Sequence, residues 1–408
     1  MQLNVRDLGA VGDGKADDTL ALQQALDRCT VMGGGEVLVP AGDYLTGALT
    51  LRSHTTLHLT EGARLLGVPD LARFPVTQVR WEGRWIKGYG ALIAAEDAER
   101  IAIIGNGEII ASPEIKGRVD RASGMRHPAL MEFVNCRGVR VEDIHTTGND
   151  MWSTHPVYCE DVVFRNVTVH SGADGIDVDS CRRVLIEGCD FQTADDCISL
   201  KSGRGQEGNN LARPCEDVTI RKCSFRDSRW ACIGIGSETS GGIRRVLVED
   251  CQCLQAGTFA IYIKSRPGRG AFIEHIHMRG LEVRNAKTGF LRLNLVNSGL
   301  QDPAPVAGLT GIPDAADFSF RDIQVFDVPV LVDAASLNPE KPLNGFTLSE
   351  VRGTCAAGMT LANIRHARLS NIAVTGFTGP LLKTQNVTGS GLIGATPAEP
   401  QATTKLGQ

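Results

Sequence analysis

Short runs in which apolar and polar residues alternate recur along most of this 408-residue chain. Four of them begin on a cysteine: Cys136-Arg137-Gly138-Val139-Arg140-Val141, Cys159-Glu160-Asp161-Val162-Val163-Phe164, Cys181-Arg182-Arg183-Val184-Leu185-Ile186 and Cys215-Glu216-Asp217-Val218-Thr219-Ile220. The same signal returns more weakly at Ile101, Val246, Ile276, Phe318, Phe346 and Ala367. A core unit of roughly 22 residues with insertions of variable length is a solenoid signature. Alternation over about five residues, bounded by Asn, Asp, Gly or Ser, predicts strands. No amphipathic helix separates them, which excludes leucine-rich and helical repeats. The expected fold class is all-β: a right-handed parallel β-helix, a solenoid of about ten coils.

The N-terminus breaks this pattern. Asp7 to Gly14 reads as a short strand and a glycine turn. Asp17 or Asp18 can cap a helix from about Thr19 to Cys29, with Leu22, Ala25, Leu26 and Cys29 on one face. This element, within about 17–30, is expected to cover the open strand edges of the first coil. Gly33-Gly34-Gly35 then ends it, and no Lys-Ser/Thr follows to make a phosphate loop. The stretch from Gly299 to Ala316, with Pro303, Pro305 and Pro313, reads as a long inserted loop, of the kind that walls a solenoid's cleft. Residues 1–394 are read as one domain, and 395–408 as a polar, disordered tail.

A net charge of −5 argues against nucleic acid as the main partner. No apolar run reaches 18 residues, so no membrane span is expected. The start lacks the apolar region of a signal peptide. A cytoplasmic location is therefore expected, or a periplasmic or secreted one if a leader has been removed. The 12 cysteines include no CxxC pair. Cys136, Cys159, Cys181 and Cys215 share one repeat position and Cys189, Cys223 and Cys251 another. Equivalent residues of adjacent coils stack about 4.8 Å apart. A ladder of buried free thiols is expected, with stacked disulfides as the alternative.

Three carboxylates fall in matching parts of two successive repeats: Asp174 in Ser171-Gly172-Ala173-Asp174-Gly175-Ile176-Asp177, and Asp195 and Asp196 in Thr193-Ala194-Asp195-Asp196-Cys197-Ile198. Their register follows from aligning Ile176 to Ser180, Ile198 to Ser202, Ile233 to Ser237 and Ile261 to Ser265. The aliphatic positions face the core. Asp177, Ser199, Gly234, Tyr262 and Asp179, Lys201, Gly236, Lys264 then form two outward columns. With two glycines among them, these columns are expected to make an open floor.

The chain resembles the polygalacturonase family of glycoside hydrolases from about Val5 to about Val374. The resemblance rests on Gly9-Ala10-Val11-Gly12-Asp13-Gly14 with Asp18-Thr19, on Trp152-Ser153-Thr154-His155-Pro156-Val157-Tyr158-Cys159, on Asp174-Gly175-Ile176-Asp177, on Asp195 through Gly203, and on Ile235-Gly236-Ser237-Glu238. It implies a poly- or oligosaccharide substrate of pectin type and inverting hydrolysis. Asp195 would be the general acid, and Asp174 and Asp196 would activate the attacking water. Crowded carboxylates raise one another's pKa, which helps the acid keep its proton. A water must fit between base and sugar, so a carboxyl separation of roughly 6.5–9.5 Å is expected.

Departures from the family pattern concern the substrate. The active-site histidine position holds Ala231, within Trp230-Ala231-Cys232. The basic pair that grips a galacturonate carboxylate is reduced to Lys264, with Tyr262 in the arginine position. Gly172-Ala173 replace the usual Asn-Thr. Three readings follow: a different glycoside, with Trp230 and Tyr262 stacking on it; a uronide gripped by Lys201, Lys264, Arg266 or Arg269; or an inactive carbohydrate-binding relative. Asp177 joins the candidate substrate contacts through its column. His155 and His170 rank below the acids, and Trp81 and Trp85 are either stacking platforms or loop anchors. A β-eliminating lyase on the same fold is the runner-up; it would need calcium ligands and an Arg or Lys base. No zinc spacing or calcium-loop motif appears, so neither metal nor cofactor is expected.

Overall fold

In the computed structural model, which describes residues 1–399, parallel strands recur along the chain, short through the first unit and longer towards the end of the second. It divides into two compact units, Met1–Asp195 and Asp196–Gln408. Each is built of β-helical coils, and the fold is the expected right-handed parallel β-helix.

In the first unit each coil contributes a strand to each of three parallel ladders. Ile93–Glu96, Met131–Val134, Thr154–Val157 and Ile176–Asp179 pair in succession. So do Glu99–Ile104, Arg137–Glu142, Glu160–Arg165 and Arg182–Glu187, and Glu108–Ile110, His145–Thr147, Thr168–Ser171 and Asp190–Thr193. Inward positions alternate along each strand, so Val139, Val162 and Val184 stack through the core. In the second unit Ile198–Lys201, Ile233–Ile235, Phe259–Lys264 and Gly289–Asn294 form one ladder, and Cys215–Arg221, Ile243–Cys253, Phe272–Arg284 and Asp314–Ser336 another.

Polar residues in the left-handed region make the bends between strands. Asp161 and Arg183, at φ 57° and 55°, stack with Arg183 Nε donating to Asp161 Oδ1 at 2.6 Å. In the second unit Arg245 donates to Asp217 in the same way, at 2.6 Å. Asp and Asn visit this conformation at little cost, and stacking alternates their charges with arginine.

The expected cap is α1, Thr19–Val31, which buries Ala21, Leu22, Ala25, Leu26 and Cys29. The two candidate capping residues divide the work. Asp17 Oδ1 accepts from Thr19 N at 3.0 Å, while Asp18 turns back to accept from Val11 N and Gly12 N. A second helix, α2, Gly205–Leu211, had no signal in the repeat pattern. Nor did the antiparallel hairpin Val76–Trp81/Arg84–Tyr89, which turns on Glu82 and Gly83 at φ 46° and 74°.

All 12 cysteines are free and buried. Cys159 Sγ accepts from Cys136 N, and Cys181 Sγ from Cys159 N, at 3.4 and 3.3 Å. Burial pushes the Cys159 thiol well above its ordinary value. Of the tail at 395–408, Thr396–Pro397 pairs with Lys383 and Thr384; residues 400–408 lie outside the described residues.

Candidate active site

The first unit holds Asp174 and Asp195 on two copies of one turn. Ser171 and Thr193 are register partners. Ser171 Oγ donates to Asp174 O at 2.8 Å, and Thr193 Oγ1 donates to Asp195 O at 2.6 Å. The second turn rests on the first through Asp195 N donating to Ala173 O at 3.2 Å. Gly172 explains one departure from the family pattern. A Cβ there would lie 2.7 Å from Asn149 O and 2.8 Å from Asp150 Oδ1, so the backbone is pressed too close for the usual asparagine. Asp174 is buried; Asp195 is half-buried.

Arg118 faces these acids. Its Nη2 donates to Asp195 Oδ2 at 2.8 Å. Burial pulls the guanidinium down, but the Asp195 hydrogen bond and the charges of Asp174 and Asp195 outweigh it, and the net shift is upward. The loop carrying it is tied by Gly117 N to Asp150 Oδ2 and by His127 N to Arg118 O. Nothing in the sequence singled out Arg118, which lies in a long insertion between strands.

In the same unit the expected open floor is closed. Asp177 and Asp179 are 0% and 1% exposed. Arg80, delivered by the hairpin, is itself fully buried; it pairs with Asp179 at 3.1 Å and stacks over Trp85 and Tyr158. Asp177 therefore lies within the wall and not on it. Trp85 anchors this hairpin. His155 is buried edge-on against Trp152, with Glu132 3.8 Å away, the packed arrangement that ranked it below the acids.

The second unit begins on Asp196, which is buried. Its Oδ1 accepts from Ala231 N at 3.1 Å; its Oδ2 accepts from Ser199 Oγ at 3.1 Å and from Lys264 Nζ at 2.7 Å. Ala231 thus contributes a backbone amide where the family carries a histidine side chain. Gly234 is obligatory beneath it, since a Cβ would fall 2.3 Å from Asp196 Oδ2. The aligned register holds, with Ile198, Ile233 and Ile261 stacked and Ser199, Gly234 and Tyr262 beside them. Ser199 and Lys201 are covered here too, at 1% and 4% exposure.

Tyr262 is nearly buried, with the Lys264 ammonium 5.4 Å and the Arg292 guanidinium 5.5 Å from its ring centre. Trp230 is exposed at 44%, as a stacking platform needs. Glu238, quoted in the motif but given no role, is buried. Burial raises its pKa, but Lys201, Arg269 and Lys264 overcome this and hold the carboxyl below its ordinary range. The basic segment after Lys264 is neither a solvated loop nor an open clamp. Arg269 is fully buried, pairs with Asp302 at 2.9 Å and donates to Leu300 O. Arg204 reaches the same aspartate at 2.9 Å, and Arg266 donates to Gly299 O at 2.6 Å. The proline-rich loop has closed over these arginines.

Stacking also produces a donor cluster that sequence spacing concealed. Among the described residues, His275, His277 and Asp317 place ligand atoms within 4.8 Å of one another on exposed surface. Both imidazoles meet Asp317 Oδ2, at 2.8 and 2.9 Å, and His275 and Asp317 both sit at left-handed bends, φ 55°. No helix among the described residues is long and apolar enough to cross a membrane.

Residues 29–292 match the model for "Glycosyl hydrolases family 28". A Vitis vinifera protein named "Probable polygalacturonase" is 29% identical over 364 residues, covering 85% of this chain and 72% of its own. The Dickeya chrysanthemi "Exo-poly-alpha-D-galacturonosidase" is 25% identical, covering 92% and 70%. A hyperthermoactive exopolygalacturonase from Thermotoga maritima superposes with a TM-score of 0.82 at 25% identity, covering 92% of each chain.

Proposed function

The chain belongs to family 28 of the glycosyl hydrolases, and from that premise we propose that it is an inverting hydrolase of pectic uronides, acting from a chain end. The observation that carries this is the pair of hydroxyl-braced turns presenting Asp174 and Asp195, followed in sequence by Asp196. Asp195 donates its proton to the glycosidic oxygen as the bond to the anomeric carbon breaks. Asp174 and Asp196 take a proton from water, which attacks that carbon from the opposite face. One water is consumed, and the new hemiacetal has the inverted configuration.

Cations in each unit favour an acidic sugar: Arg118, half-exposed, in the first, and Lys264, beside Asp196, in the second. Lys201 is covered and acts from behind, on Glu238. The Arg118 fork matches a planar carboxylate, and a uronide can engage it in place of Asp195. Trp230 offers an apolar face to a sugar ring. Arg266 and Arg269 act behind this surface, holding the loop at Gly299, Leu300 and Asp302 in place; Asp177 lies within the wall of the first unit. Tyr262, nearly buried, sets an aromatic ring beside Lys264 where the family has an arginine. The end-acting mode draws on the names of the Dickeya and Thermotoga relatives.

The test is product analysis on defined pectic oligosaccharides. Reducing ends released one unit at a time, with an inverted anomer by NMR, are expected. An unsaturated uronide absorbing in the ultraviolet would establish the lyase instead. Binding without turnover would leave a carbohydrate-binding solenoid.

A further inference from the structure

We propose that the last coils of the second unit carry an additional binding cleft for an acidic saccharide, through which the substrate chain extends beyond Tyr262. The inference rests on the uronide reading above. It starts from register. Tyr262 pairs with Arg292, Arg292 with Asp333, Asp333 with Thr360, and Thr360 with Lys383. These residues occupy one outward column, about 4.8 Å per coil, a step close to the length of a pyranose ring. From Arg292 onward the column floors a cleft of about 260 Å³, whose walls include Phe259 and Thr288.

The chemistry of this cleft suits a uronate. The Arg292 guanidinium lies 5.5 Å from the Tyr262 ring centre and 5.7 Å from that of Phe259, while Nε sits 3.5 Å from Asp333 Oδ2. Rings and carboxylate fix the plane of the guanidinium, and its side chain stays 34% exposed. A guanidinium so oriented presents a fork that matches a planar carboxylate. Lys383 supplies a second, exposed cation further along the column. Thr288 and Thr360 provide hydroxyls for the sugar's own.

The cleft is also connected to the candidate chemistry. Asp196 binds Lys264, Lys264 lies over Tyr262, and Tyr262 lies against Arg292. A chain seated against Lys264 is led along the column into the cleft.

The experiment is calorimetric titration of the full chain carrying Asp195→Asn, with galacturonate dimer and hexamer as probes. The hexamer is expected to bind at least about tenfold more tightly, the effect of one charge-assisted contact. Adding Arg292→Gln and Lys383→Ala should bring the ratio of the two affinities to about one. Equal affinities in the parent, no hexamer binding, or a ratio that survives both substitutions would overturn the cleft. If Arg292→Gln fails to fold, Lys383→Ala alone, at an exposed position, must reduce the ratio. Hydrolysis is assayed separately on the unsubstituted chain. A length-dependent ratio without hydrolysis defeats the hydrolase reading and keeps the cleft; hydrolysis without the ratio does the reverse.

Discussion

The Lys264 ammonium lies 2.7 Å from Asp196 Oδ2, and the carboxylate is buried. A short charge-assisted bond in a covered place fixes both groups. It holds the Asp196 carboxyl in one orientation, the aim a water-activating base needs. Replacing the lysine by methionine keeps the stem and removes the charge. Lys264→Met is expected to lower kcat about a hundredfold, the lower range of general-base contributions. Steady-state kinetics beside a thermal melt checks this; a kcat within twofold of the parent would show that Asp196 does not depend on Lys264.

Arg118 has a different signature. It touches Asp195 but is 40% exposed at its side chain, so an incoming carboxylate can reach it. Arg118→Gln is expected to raise KM for a uronide oligosaccharide about tenfold, the value of one hydrogen bond to a charged group. The methyl-esterified substrate, which lacks the anion, should show a much smaller change. Equal rises for both substrates would rule out a carboxylate contact.

The parts of this molecule legible in sequence are those that repeat. Cys136, Cys159 and Cys181 announced the coils because stacking imposes one environment on each position. The register of Ile198, Ile233 and Ile261 followed from the same cause. What escaped were contacts between insertions and coils. Arg118 meets Asp195 across 77 positions and Arg80 meets Asp179 across 99, and no local pattern encodes either. The open floor failed for that reason: alternation shows which way Asp179 points, not that a hairpin arginine will cover it. Arg269 misled in the opposite sense. A Gly-Pro-rich basic segment looks solvated until Asp302 closes on it from the proline-rich loop.

Sulfur chemistry gives a direct check on the packing. Every cysteine is buried and free. Burial is the main cause that raises the Cys29 and Cys232 thiols, while hydrogen bonding to Cys159 is the largest for Cys136. Thiolate is the reactive form, so these groups should resist alkylation. Iodoacetamide at pH 8 is expected to label none of the 12 in the native protein and all 12 in denaturant, with the melting temperature unchanged by reductant. Rapid native labelling at any site would show that its coil opens.

Glu238 ties stability to pH. Its carboxyl is held below the ordinary range by Lys201, Arg269 and Lys264, against the opposing effect of burial. In the unfolded chain it titrates near the usual value of about 4.3. Between the two values the unfolded state binds the proton more readily, so stability rises with pH there. The contribution is therefore complete above about pH 4.3, and is lost as pH falls through the lowered folded value. Glu238→Gln removes this titration and takes one buried anion away from Lys201, Arg269 and Lys264. The variant should melt earlier than the parent at neutral pH, and the gap should narrow as pH drops below about 4. Melting curves from pH 7 to 3 measure this, and a constant gap across the range would mean that the ionised Glu238 carboxylate does not hold the lysines and Arg269 together.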